Sequence, residues 1–305
     1  MRRAEKTVAL FLVLLGFFSA RPAVSGFAQL SPASGSDCAS LMASSEKSWL
    51  AGNYDQSDRF LKQAEALCPG LAEIYWREAR NIYDRSEALP RDKRPGKQES
   101  IKLYNQIISL ADKCISLSAN DGLCWHWKGV GIGRRGSTKG VLYSLPDLRQ
   151  LEAVMNKAEA LKPSYRSENG SANGMGDIYD AHGMLYRIVP DWFLLKTLFG
   201  ARGDMVKSVD YQRKAVALEP QRIEYNKELG VSLICYGSKK NDPQAVEEGR
   251  AYLKKIEALP VIKSSDRVDK DHARILLENP DLACGYSRDA QQVQSKEEFE
   301  KIPKK

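Results

Sequence analysis

One short phrase closes five successive segments of this chain and restricts what the chain can fold into. QAEALCP (63–69), KCISLSA (113–119), KAEALKP (157–163) and KAVALEP (214–220) align without gaps, and KIEALP (255–260) is one residue shorter. The gap-free copies share a small residue (Ala64, Cys114, Ala158, Ala215) and a leucine three positions on (Leu67, Leu117, Leu161, Leu218). Most end in proline, which cannot continue a helix. Upstream of each phrase the apolar residues recur at helical spacing, as in Ile101, Tyr104, Ile107, Ile108, Ala111 and Ile115. Two helices joined by a tight turn lie antiparallel. The chain therefore reads as five sibling hairpins, each too small to bury its apolar side alone.

The phrases end at residues 69, 119, 163, 220 and 260, so their intervals are 50, 44, 57 and 40 residues. This exceeds the tetratricopeptide period of about 34 and varies from unit to unit. Insertions must then lengthen the corners. The expected fold class is all-α: stacked antiparallel helical hairpins, a tetratricopeptide-like α-solenoid with long inter-repeat corners. The fullest unit runs from Asp177 to Tyr236 and includes a Pro/aromatic corner at Pro190-Asp191-Trp192-Phe193.

The amino terminus has a different character. Arg2, Arg3 and Lys6 precede an apolar run from Val8 to Phe18, and small residues follow around Ser25 and Ala28. That order describes a cleavable secretory signal, cut after Ser25 or Ala28, with an uncleaved anchor as the competing reading. The expected organisation is signal peptide 1–28, linker 29–37, helical repeats 38–263, a C-terminal helical extension 264–290 and a flexible tail 291–305. A periplasmic or secreted location follows.

Export changes how the six cysteines read, because disulfides persist outside the reducing cytosol. No Cys-x-x-Cys pair exists, and with only His126, His182 and His272 there is no zinc-like spacing. No metal or cofactor is expected. Antiparallel pairing of the first two helices brings Cys38 near Cys68. Cys114 occupies the small-residue slot of the repeat, so a packed core thiol competes there with a bridge to Cys124. Cys235 and Cys284 are left to each other.

The formal net charge of +7 includes Arg2, Arg3, Lys6 and Arg21 against Glu5, and falls to +4 without the signal. That is too little for a dedicated nucleic-acid binder. Gly131-x-Gly133-x-x-Gly136 matches a dinucleotide fingerprint in form only. It follows Trp125-His126-Trp127 inside a helix, where the fingerprint needs a preceding strand. Its glycines read as a close helix contact, and Arg134, Arg135 and Lys139 beside them as a solvated basic corner, with attraction of an anionic group as the competing reading.

The order of features from Trp125 to Gly237 resembles the T-component family of tripartite ATP-independent periplasmic (TRAP) transporters, related to the regulator-of-microtubule-dynamics proteins. The matching pattern comprises Trp127 and Gly129, the corner Arg134-Arg135-Gly136, Ala160-Leu161-Lys162-Pro163-Ser164-Tyr165, and Gly183-Met184-Leu185-Tyr186 with Pro190. Gly203-Asp204 with Lys207-Ser208, and Ala217-Leu218-Glu219-Pro220 with Asn226, complete it. The resemblance implies an exported all-helical protein with cryptic tetratricopeptide-like repeats around an apolar channel, which binds a periplasmic solute-binding protein and exchanges a hydrophobic ligand. The chain departs from the family in lacking a lipobox, in its extra cysteines and in a more apolar corner at 191–201.

Stacked hairpins leave a concave face suited to binding. The expected lining is Trp125, Trp127, Tyr143, Tyr186, Trp192, Phe193 and Asn226, apolar walls with few polar handles. Core packing is the competing role for each aromatic. His182, with Asp177, Asp180 and Tyr186 close in sequence, offers no nucleophile, so catalysis is not expected. The expected function is therefore binding: of a hydrophobic small molecule, of a solute-binding protein or other envelope protein, or, as an alternative, docking as a scaffold without a ligand. Homo-oligomerisation is compatible with all of these.

Overall fold

The computed structural model describes residues 32–301, so the expected signal peptide lies outside the described residues. The helices in order are α1 (Pro32–Leu50), α2 (Tyr54–Leu67), α3 (Ala72–Glu87), α4 (Lys97–Leu117), α5 (Gly122–Lys139), α6 (Leu148–Ala160), α7 (Gly174–Ile188) and α8 (Phe193–Phe199). They continue with α9 (Met205–Leu218), α10 (Ile223–Lys240), α11 (Pro243–Lys255), α12 (Ser265–Glu278) and α13 (Lys296–Glu300). Short 3₁₀ segments at Val141–Asp147 and Pro280–Gly285 carry the chain between helices. Among the described residues the only strand-like pairing is an isolated bridge between Arg166 and Asn173.

Five antiparallel pairs form: α1 with α2, α3 with α4, α5 with α6, α7 with α9, and α10 with α11. The second helix of the first four pairs ends in the repeated phrase, and α11 runs directly into it. Its small residue is the fixed point. Ala64, Cys114 and Ala215 each accept the terminal backbone hydrogen bond, from Cys68, Ser118 and Glu219 respectively. With Ala158 they are also fully buried, because the next hairpin begins against them. The phrase leucines sit on the other side of the helix end, and Leu67, Leu117 and Leu218 are exposed. Asp121, Asn173, Asp204 and Asp242 then open α5, α7, α9 and α11 by accepting hydrogen bonds from the first free backbone N–H groups.

Within the fingerprint-like stretch Gly131 acts as a contact point between helices. A Cβ on Gly131 would stand 2.7 Å from Ile108 Cγ1 and 3.1 Å from the Tyr104 carbonyl, so α4 and α5 meet almost backbone to backbone. Among the described residues no strand precedes this stretch.

The three disulfides join Cys38 to Cys68, Cys114 to Cys124 and Cys235 to Cys284. The first ties the two ends of hairpin one, as antiparallel packing requires. The second fastens the end of α4 to the start of α5. Cys114 keeps its buried small-residue slot as well, so the two readings of that thiol are compatible.

Three local expectations change. The helix expected from Cys38 begins at Pro32, since proline is accommodated in a first turn. The apolar run after Pro190, read as an extended corner, coils into α8 and ends at Gly200 with φ +90°. The stretch from Gln291, expected to be loose, is pinned through residue 301: Gln294 Nε2 donates to the Arg187 and Ile188 carbonyls at 3.0 and 2.6 Å, and Phe299 packs on Trp192.

Candidate ligand site

The first helices of the hairpins, α1, α3, α5, α7 and α10, face inward, and the superhelix turns far enough that α12 touches α3. What these inner faces carry is set by a 3-4-3 spacing, which places residues on one helical stripe. On α3 the stripe is Arg77, Arg80, Asp84 and Glu87, and on α7 it is Asp177, Asp180, Met184 and Arg187. From α10 come Glu224, Lys227 and Glu228. One zone of the interior is therefore ionic. Arg80 Nη2 reaches Glu46 at 2.7 Å and its guanidinium lies 3.6 Å above the Trp49 ring, while Trp49 Nε1 donates to Asp84 at 2.7 Å. Arg187 is fully buried between Glu228 (2.6 Å) and the carbonyls of Ala283 and Tyr286. Lys227 is paired with Asp269 at 2.5 Å.

The C-terminal segment crosses this interior. Arg288 contacts Glu87 at 3.0 Å and also Asp269, and Asp289 accepts from Arg134 at 2.8 Å and from Ser137 at 2.8 Å. Gln292 accepts from the Val141 amide at 2.8 Å. Burial opposes ionisation of Glu87, but Arg134, Arg288 and Arg94 outweigh it and hold its carboxyl below the usual range. Arg134, expected to be solvated, thus spends its charge on Glu87 and Asp289. Arg135 pairs with Asp147 at 3.2 Å.

Beside the ionic zone lies a cavity of about 140 Å³ bounded by α5, the 141–147 segment, α6, α7 and the inner edge of α10. Its wall is aliphatic: Val130, Ile132, Leu145, Leu148, Leu151, Met155, Ala181, Met184, Leu185, Ile188 and Val189, with Gly129 and Gly133 thinning the α5 side. Arg134, Glu224, Lys227, Glu228 and Arg288 border one side of it.

The seven residues expected to line a site are dispersed. Trp127 is buried, edge-on to Tyr83 at 5.6 Å, and borders a smaller polar cavity of about 60 Å³. Trp125 is half-buried on another face of α5, its Nε1 bonded to the Ala119 carbonyl at 2.9 Å. Tyr186 stacks with Tyr211 at 5.9 Å. Trp192 covers Phe299, and Tyr143 and Phe193 are exposed, at 63% and 77%. Asn226 is fully buried and ties a corner, donating to the Pro220 and Arg222 carbonyls and accepting from Lys255 Nζ at 2.9 Å. None of the seven lines the aliphatic cavity.

Nor do the acid–base residues of α7 converge. His182 is buried against Tyr211 at 4.7 Å with Nε2 3.2 Å from Glu159, and burial pushes its imidazole below the usual value. Asp177 and Asp180, by contrast, border the smaller polar cavity. The cavity residues missed from the sequence were nonetheless visible there as Ala181-x-x-Met184-Leu185-x-x-Ile188, a stripe at positions 0, 3, 4 and 7.

No protein-family model matches the chain, and no curated protein does. Solved structures do. TTC0263, a thermophilic tetratricopeptide-repeat protein of Thermus thermophilus, is 16% identical over 78% of this chain and 100% of its own, with a TM-score of 0.48. MamA is 14% identical over 74% of this chain and 97% of its own, with a TM-score of 0.39. MamA 41-end from Desulfovibrio magneticus RS-1 is 15% identical over 73% and 94%, also at 0.39. The fold rests on the described helices themselves, whose antiparallel pairing makes an all-α solenoid of tetratricopeptide-like hairpins.

Proposed function

We propose that this chain is an exported, non-catalytic binding protein that holds a small, largely apolar molecule inside its superhelix. The aliphatic cavity carries this reading. A cavity of roughly 150 Å³ lined by Leu, Ile and Phe stays dry and takes up benzene or xenon, and this one is of about 140 Å³ with a largely aliphatic wall bordered by charged residues. The concave face that would otherwise hold a peptide is crossed by the chain's own residues 287–294. Three disulfides support an oxidising compartment such as the periplasm. The order of features from Trp125 to Gly237 supports a role beside the solute-binding protein of a TRAP-type transport system.

A second reading, docking of that solute-binding protein or another envelope protein, is favoured by α8. Phe193, Leu194 and Leu198 are 77%, 65% and 61% exposed there, while Leu195 packs inward. The two readings are compatible, since α8 rests on the 141–147 segment that walls the cavity.

Native mass spectrometry of protein purified from its own host tests the first reading. A bound molecule of low polarity is expected, and Ala181→Phe, which fills the cavity from α7, should abolish its retention without loss of helicity. A ligand-free spectrum, or a ligand retained undiminished by Ala181→Phe, contradicts it.

A further inference from the structure

The aliphatic cavity has a polar neighbour. Tyr83, Val130, Ala181, Met184 and Glu224 border both it and the second cavity of about 60 Å³. The far wall of the smaller space includes Asp180, Arg222 and His126, which are 4%, 3% and 4% exposed. Asp180 Oδ1, Arg222 Nε, Arg222 Nη1 and His126 Nδ1 have no hydrogen-bond partner in the protein. Buried polar groups in native proteins are paired with few exceptions. Here an acceptor and donors are left over around one small space.

The neighbours that are present engage only part of Arg222. Arg222 turns its Nη2 to Glu224 at 3.2 Å, with Asp177 at 3.8 Å, and its guanidinium lies 5.3 Å from the Tyr225 ring. The Asp177 carboxylate in turn accepts from Tyr225 at 2.5 Å and from the Asn173 amide at 3.2 Å. Burial, followed by Glu224 and Glu228, pushes the Asp180 carboxyl well above the usual carboxylate range. The orphaned Asp180 oxygen and the orphaned Arg222 nitrogens thus offer one small space, among the mixed charges of Arg80, Asp84, Asp177, Glu224 and Lys263, an acceptor and donors.

We propose that the smaller cavity receives the zwitterionic head of an aliphatic α-amino acid, its ammonium at Asp180 and its carboxylate at Arg222, with the side chain passing Val130 and Met184 into the larger cavity. This rests on the reading of the larger cavity as an apolar ligand site and names the ligand class. A purely apolar molecule leaves the orphaned donors and acceptor unmet. A simple acid or a simple amine meets only one side.

Isothermal titration of the full chain with four probes tests this: L-leucine, 4-methylpentanoate, which lacks the ammonium, 3-methylbutylamine, which lacks the carboxylate, and benzene. Leucine is expected to bind at least tenfold more tightly than either half-molecule, and Asp180→Asn is expected to erase its advantage over 4-methylpentanoate. Benzene binding without leucine binding overturns the amino-acid assignment and leaves the apolar site standing. Equal affinities for leucine and 4-methylpentanoate overturn it too. Binding of neither leucine nor benzene overturns both. The four-probe comparison on the unsubstituted chain decides the matter even if Asp180→Asn does not fold.

Discussion

Charged residues inside this fold behave in opposite ways according to what faces them. Glu87 stays ionised while enclosed because three arginines surround it, whereas His272 is driven the other way. Burial, then Lys227 and Arg288, push the His272 imidazole down to about 3, and its Nδ1 meets the Tyr286 hydroxyl at 2.7 Å. The folded chain then leaves this ring neutral at pH values where the unfolded chain, with an ordinary imidazole near 6.5, takes up a proton. Protons are bound preferentially by the unfolded state between about 6.5 and 3, so stability falls as pH falls through that window, by up to ~1.4 kcal/mol per pH unit. Urea unfolding at pH 7.5 and 4.5 should show a smaller acid-side loss for His272→Gln than for the unsubstituted chain. Equal losses would mean that the ring titrates normally. None of this was legible in the sequence. A histidine near an acid in the chain looks the same whether its environment is cationic or not, and the cations here come from α10 and from residue 288.

At the scale of elements, the hairpins could be read because each repeats a local signal. A small residue, a leucine and a proline mark one helix end, and a packing contact must recur wherever the next hairpin starts. The corners could not be read this way. The run Trp192 to Leu195 looked like an aromatic wall, but only Leu195 finds a buried position while Phe193 and Leu194 point to solvent. The charged stripe Arg77, Arg80, Asp84, Glu87 could not be placed either, since nothing local announces that α12 and residues 287–294 will cover it. That covering segment depends on Arg288, which touches Glu87 and Asp269, both almost fully enclosed. Removing one partner of a buried ion pair costs about 3–5 kcal/mol, because the other charge stays behind unpaired. Arg288→Ala should destabilise the chain by about that much in urea unfolding, and adding Asp269→Asn should recover part of the loss. A cost under about 1 kcal/mol would mean that residues 287–294 contribute little to holding the superhelix closed.

On the scale of the whole molecule, curvature turns a binding groove into an interior. Five hairpins, a further helix that returns to α3 and a crossing C-terminal segment enclose two kinds of space, one aliphatic and one ionic. The aliphatic one is bounded by Gly129 and Gly133 on α5 and Ala181 on α7, facing Leu145, Leu148 and Met155. Close-packed interiors keep few such spaces, so the proposed binding function stands on this one. The direct measurement is diffraction from crystals of the protein held under xenon pressure. The account predicts xenon density between α5, α6 and α7, beside Leu145, Met155 and Ala181. A xenon-free cavity with those side chains packed together across it would contradict it.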